Sequence, residues 1–560
     1  MRGSIFFLYM ELMIYDEYII KQESDNWRGW IDVKLWYGGK IYTMEKEGVW
    51  VEAVVTKNGK ILEVGDTQDL YKTYKNEITE EHDLKGAVMY PGFTDSHLHI
   101  IGHGERLMRL DLTFMKSAEE VKQALKLHAE QLDPGEWIIG DGWNENQWEN
   151  KRIIHKDELD EISSQHPMML TRVCRHAVLA NSEAMKLAGI EKSTPDPQGG
   201  VIVRDDEGNA TGFFHEKAQD MIKRAMPEVT KDYLRRATEL AVRDMHKYGL
   251  VGGHSEDLNY YGGFKKTFDA YTDVIDGSKL KFRAHLLVHN GVIEQMDEES
   301  LGYKKGTDFV ELGALKIFSD GALGGRTAWL SEAYSDDPGN FGVPIHTQEQ
   351  LTTLVKKARK RLMPIAVHAI GDRAVEAVIQ AIEAAPLHSG ERDRIIHAQI
   401  LRPDLIQKLK NMNVVLDIQP TFVASDFPWV MERIGNVRLK NSYSWKTLMD
   451  AGIMCAGGSD APIEEINPLL GIRAAVDRRA TYDHSVYQAE EKLSVFEAIS
   501  LYTKGSAMAI AREDSQGVIQ SGYIADFTIL DRDLFALKPH ELADANVTMT
   551  VVDEEIVYQR

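Results

Sequence analysis

Residues 90–100 read YPGFTDSHLHI. An apolar run stops at Pro91-Gly92, resumes, and then sets Asp95, His97 and His99 at alternate positions. In an extended strand those three side chains share one face. Two imidazoles and a carboxylate on one face at a strand's end have little structural use, and they are the donors a divalent cation takes.

Working outward, the same kind of segment recurs. AVMYPGFTDSH, GLVGGHS, LKFRAHLLV, ALKIFSDG, MPIAVHAIG, RIIHAQIL, VVLDIQP and IMCAGGSDA are strand candidates in chain order. Amphipathic runs such as TQEQLTTLVKKARKRL and RAVEAVIQAIEAA separate the later ones. Strands alternating with helices predict a parallel sheet, and about eight of them close a (β/α)8 TIM barrel. The connection after the first candidate, about residues 100–248, is oversized; it holds GDGWNENQW and the turn-rich STPDPQGGVIVRDDEGNATGFFHE. It is expected to form an inserted subdomain that covers the barrel mouth.

Both chain ends read differently. VKLWYGGKIYTM and WVEAVVTKNGKILEVG alternate with period two, and Asn58-Gly59 between apolar runs signals a tight hairpin. GVIQSGYIADFTIL and NVTMTVVDEEIVYQR are equally β-rich. The two ends are therefore expected to pair into one small β-sandwich domain. The resulting division is a leader over 1–32, the first half of the β domain over 33–90, the barrel over 91–512 and the second half over 513–560.

Bulk properties narrow the function. In 560 residues, 65 basic against 87 acidic side chains give a net charge of −22, spread along the chain. That balance disfavours nucleic acid and anionic membranes as partners. The two cysteines, Cys174 and Cys455, stand alone, so neither a disulfide framework nor a thiolate zinc module can be built. The opening MRGSIFFLYMELMIYDEY is apolar but broken by Glu11, Asp16 and Glu17, and no small-residue cleavage site follows. A cytoplasmic enzyme is expected, with a small-molecule substrate; self-association into a homo-oligomer stays open.

On this frame, His97, His99, Lys316, His368, His397 and Asp460 fall at or just past the carboxyl ends of strand candidates, the face where barrel enzymes build their sites. PGFTDSHLHI, LKIFSDGALGGRTA, VHAIGDRA, IIHAQ and GGSDAPIEEINPL, in that order, resemble the amidohydrolase superfamily. The likeness is to its third branch of metal-dependent hydrolases, which includes N-substituted formamide deformylases. HAVLANSEAM and DPQGGVIVRDDEGNATG extend the resemblance over roughly residues 33–560.

The resemblance implies that His97 and His99 hold one divalent ion, that His368 and His397 hold a second, and that Asp460 touches the first ion and the hydrolytic water. Such donors suit zinc. Lys316 matches a lysine carboxylated by carbon dioxide, whose carbamate bridges both ions. An ammonium about 4 Å from a dication would be repelled by roughly 8 kcal/mol at a dielectric near 20. Lys316 is therefore either a carbamate or turned elsewhere, for example toward Asp320. The implied reaction is hydrolysis of an amide-type C–N bond with Asp460 as general base; a mononuclear deaminase of a heterocycle and a non-catalytic metal-binding protein are the alternatives. Trp143, Asn144 and Trp148 are candidates for a substrate wall, with plain packing of the tryptophans the equal alternative, and His176, Arg326 and Asp372 are candidates for substrate binding or bracing. His103 and His254 are candidate pocket residues.

Overall fold

The computed structural model describes residues 32–113, 115–145, 148–172, 177–387 and 390–560. Residues 1–31 of the expected leader, with Cys174 and His176, lie outside the described residues. The chain divides into two compact units. One comprises Met1–Leu98, Arg243–Asn259 and Ile275–Arg560, and the other His99–Val242 and Tyr260–Val274.

The first unit contains the barrel. Its eight parallel strands are β1 (Phe93–Leu98), β2 (Leu250–Ser255), β3 (Arg283–His289), β4 (Val310–Phe318), β5 (Ile365–Ala369), β6 (Asp393–His397), β7 (Val414–Ile418) and β8 (Met454–Gly457). They lie side by side in sequence order. Each of the eight sequence candidates contains one barrel strand, and the helical readings hold as Gln348–Arg359, capped by Thr347 with Gln350, and Asp372–Ala384. Apolar residues such as Leu287, Ala314, Ala366 and Ile396 fill one layer of the interior. Another layer is charged. Arg394 on β6 grips Asp417 on β7 with Nε 2.8 Å and an NH2 nitrogen 3.0 Å from the carboxylate oxygens, both residues 1% exposed or less.

The first candidate, residues 87–97, is two strands rather than one. Val88–Pro91 belongs to a sheet of the sandwich and β1 to the barrel, with Gly92 between them. A Cβ on Gly92 would sit 2.5 Å from a methyl of Val251, so the residue also lets the chain pass close to β2. The sandwich has a four-stranded sheet from the N-terminal end and a six-stranded sheet shared by both ends. The ends meet where Val88–Pro91 pairs antiparallel with Phe527–Leu530. Trp36, Ile41, Val54, Ile61, Met89, Phe527 and Val551 form the core between the sheets. The Asn58-Gly59 hairpin is present: Lys57 pairs with Lys60, and both turn residues have positive φ, as a type I′ turn requires. Asp553 and Glu554 adopt the same conformation without glycine, and Asp553 accepts a hydrogen bond from Lys281 Nζ at 2.9 Å.

The second unit carries a six-stranded sheet ending in Leu110–Asp111 at one side and Gly200–Arg204 at the other. Neighbouring residues serve opposite faces. Leu170 and Phe213 enter one apolar cluster, Met169 and Phe214 the other, as strand alternation demands. Among the described residues no helix is long and apolar enough to cross a membrane.

Breaking a buried pair by removing one partner leaves a desolvated charge without the partner that held it. Arg394→Met is therefore expected to cost about 3–5 kcal/mol. The double variant Arg394→Met/Asp417→Leu should recover most of that loss, as read from thermal unfolding midpoints.

Candidate metal centre

β1 and β8 form the edges of the eight-stranded sheet and share no ladder in it, so something else must join them. Asp95, the third residue of β1, supplies the joint. Its Oδ1 accepts the His97 N–H at 3.0 Å, and the Ser459 N–H lies 3.2 and 3.0 Å from its two oxygens. The Asp460 N–H then donates to the His97 carbonyl at 2.8 Å. Gly458 permits this approach, because a Cβ there would stand 2.6 Å from the His97 nitrogen. Burial pushes the Asp95 carboxyl up to about 7, opposed by those N–H donors. Asp95 is thus a fastener between strands rather than a member of the donor group.

The donor group itself is drawn together by this closure. His97, His99 and Asp460 each offer a ligand atom, all within 4.8 Å of one another. His99 follows Leu98, the last residue of β1, and precedes the helix Ile100–Met108. His97 Nε2 lies 3.5 Å from Asp460 Oδ1. Asp460 has a φ of +57°, a left-handed backbone that its N–H bond to His97 holds in place.

Lys316 rises from β4 into the same space. It is fully buried, and its Nζ stands 3.3 Å from His97 Nε2 and 4.7 Å from the centre of the Phe318 ring. Burial lowers its amine to about 8, against the pull of Glu256 and Asp460. The Asp320 ion pair considered for it is not what forms. The Asp320 carboxylate instead accepts the backbone N–H groups of Trp329, Ile370 and Gly371 at 2.8, 3.1 and 2.8 Å, with His368 Nε2 3.5 Å away.

His368 on β5 and His397 at the end of β6 complete the convergence. Their ring centres are 4.5 Å apart, and that of His397 is 5.6 Å from that of His97. Gln419 Oε1 lies 2.7 Å from His397 Nδ1 and fixes the ring. His397 and Ala398 both have positive φ, so the strand ends in strained backbone at the site. Imidazole nitrogens and a carboxylate oxygen, gathered at the carboxyl ends of five strands with a buried amine among them, form a donor set that fits divalent cations.

The other candidates fare differently. Trp143 is 1% exposed in the core of the second unit, its indole N–H donating to the Leu170 carbonyl at 3.1 Å. Trp148 joins the same cluster and donates to the Met115 carbonyl. Both are packing residues, not a substrate wall; Asn144 follows the strand Ile138–Trp143. Arg326 is paired with Asp336 at 2.8 Å. Asp372 opens the helix Asp372–Ala384 and accepts from Ser331 N at 2.9 Å and Arg402 at 3.1 Å, which makes it a brace between loops. His103 is buried within the helix Ile100–Met108. His254, the fifth residue of β2, borders a cavity of about 300 Å³ lined also by His285, Glu311 and Arg512.

Two rim residues were not singled out from the sequence. Glu256 follows β2 and its charge acts on Lys316. His289 ends β3 in register with Lys316. Its signal, a histidine closing an apolar strand in LLVHN, is the same one that marked His368 and His397.

Comparison with known proteins agrees with this geometry. The amidohydrolase family model matches residues 80–558. The protein YtcJ of Bacillus subtilis (strain 168), named as an amidohydrolase, is 48% identical over 528 residues, 94% of this chain and 99% of its own. The N-substituted formamide deformylase of Arthrobacter pascens is 26% identical over 543 residues, 93% of this chain and 97% of its own. Among solved structures, an uncharacterized metal-dependent hydrolase from Pyrococcus horikoshii OT3 superposes with a TM-score of 0.77 at 30% identity, covering 91% of this chain and 99% of that one.

Asp95→Ala leaves two buried N–H groups without an acceptor, at about 1–3 kcal/mol each. We expect a lower thermal midpoint together with reduced divalent metal per chain by elemental analysis, and an intermediate effect for Asp95→Asn, which keeps one oxygen acceptor.

Proposed function

The chain belongs to the amidohydrolase family, and from that membership we propose that it is a metal-dependent hydrolase of a C–N bond in a small amide or N-substituted formamide. The observation that carries the reading is the meeting of His97, Lys316, His368, His397 and Asp460 at one end of the barrel. The likeness to a formamide deformylase supports the substrate class, and the nitrogen and oxygen donors support zinc.

His97, His99 and Asp460 would hold one ion, and His368 and His397 a second, with Lys316 between them. When bound, such ions supply Lewis acidity and bring the pKa of water from 15.7 toward about 7. The protein's own part is to orient and to move protons. Asp460, held by its N–H to the His97 carbonyl, accepts the proton of the attacking water at a carboxylate oxygen and returns it to the leaving nitrogen. Gln419 fixes the ring of His397, so its second nitrogen has a set direction. The lowered amine of Lys316 gives a neutral fraction at pH 7, the form that adds to carbon dioxide. Its nitrogen bonds to the carbon, loses one proton, and becomes a carbamate anion.

A second reading rests on the donor group itself. Among the described residues only His97, His99 and Asp460 stand as a ready three-donor set. A single ion there, with Lys316 left as an amine, fits deamination of a heterocycle.

We expect the metal-loaded wild type to hydrolyse members of an amide, formamide and carbamate panel. Asp460→Asn should remain folded by circular dichroism while kcat falls by about 10²–10⁴. Protein grown with ¹³C-bicarbonate should show a carbamate resonance that Lys316→Arg lacks. Ammonia release from heterocyclic amines at one ion per chain, without that resonance, would decide for the second reading.

A further inference from the structure

His289 ends β3 beside Lys316, its register partner on β4. The Gly291 N–H donates to its Nδ1 at 3.0 Å. A ring nitrogen that accepts a hydrogen bond carries no proton, so in the neutral ring the proton is on Nε2. Such an imidazole offers a donor, not a lone pair, and is unsuited to bind a cation through Nε2.

The surroundings place that ring at the rim, on the far side of no more than one side chain, Phe318, from Lys316 and His368. The His289 ring centre is 5.8 Å from that of Phe318, whose ring is 5.2 Å from His368 and 4.7 Å from Lys316 Nζ. The Asn290 N–H bonds the Lys316 carbonyl at 2.9 Å, and the Val292 N–H bonds the His289 carbonyl at 3.0 Å, so the turn after β3 is fixed on both sides. Burial favours the neutral ring. A rigid, neutral N–H at the rim has no part in holding cations or in the proton transfers of Asp460.

We propose that His289 is a further catalytic residue, its Nε2–H donating to the carbonyl oxygen of the scissile amide as that oxygen gains negative charge. This rests on the amide-hydrolase reading above. A preorganised donor of this kind acts on the transition state more than on the bound substrate, so it raises kcat rather than lowering KM.

The test compares three variants of the metal-loaded protein on the best substrate of the panel. His289→Leu removes the donor. His289→Asn keeps an amide near Gly291 but cannot reach the position of Nε2. His289→Gln can place an amide N–H there. We expect kcat to fall by about 10²–10³ in the Leu and Asn variants with KM little changed, and the Gln variant to stay within about tenfold of wild type. Metal content and thermal midpoint should be unchanged in all three.

An unchanged kcat in the Asn variant overturns the proposal, as does a rise in KM alone. Equal losses in Asn and Gln, or a loss that follows metal content, assign His289 a structural role and overturn it as well. If the Leu variant fails to fold, the contrast between Asn and Gln decides. A wild type inactive on every amide overturns the amide reading and this proposal with it, whereas an active wild type with indifferent His289 variants overturns this proposal alone.

Discussion

The site depends on how the barrel closes. Seven of the eight strand contacts are parallel ladders, and each holds itself with repeated backbone hydrogen bonds. Between β1 and β8 one carboxylate and one backbone bond do that work. The atoms involved are also those that set the distance from His97 to Asp460, so closure and assembly of the donor group are one event. A conventional ladder there would fix the strands but would also extend β8 through Gly458 and Ser459. Asp460 could then not turn back toward His97 with a φ of +57°.

The strain at the rim has a common pattern. His397, Ala398 and Asp460 occupy left-handed backbone without being glycine, a conformation that costs of order 1–3 kcal/mol each. Each is over-determined by a bond to another strand. Ala398 N–H reaches the Ala369 carbonyl at 3.0 Å, Asp460 N–H the His97 carbonyl, and the ring of His397 the Gln419 side chain. The aligned ladders of β1 to β8 make those cross-strand bonds available, so the barrel's stability underwrites the geometry of the strand ends.

This division explains what the sequence could show. An apolar run capped by a polar residue is local, and it marked the barrel strands and His97, His368, His397 and Asp460. The role of Asp95 is not local, because Ser459, its partner, is 364 positions away. Period-two alternation placed Asp95 with the histidines, whereas the closure turns its oxygens to the opposite edge. The break at Gly92 was hidden for a similar reason: both halves of the run are strands, and only the sheets they join differ. For Trp143 the sequence leaves a substrate wall and plain packing both open, because a tryptophan in a turn-rich segment gives no sign of which face its strand buries. In the structure that face is the apolar one containing Leu170 and Phe213.

Lys316 shows how the fold sets chemistry at the rim. In a wholly apolar barrel its ammonium would lack any compensation and its amine would fall further. Here Glu256, Asp460 and Asp417 pull toward the charged form, while burial and Arg394 push away from it. Burial wins by enough to bring the amine to about 8, so that the ammonium and the neutral amine are both present near neutral pH. The Arg394–Asp417 pair accordingly has two consequences. It holds β6 to β7, and its two charges act on the Lys316 amine in opposite directions. Burial and the carboxylates of Glu256 and Asp460 are the larger influences on the protonation of that enclosed amine.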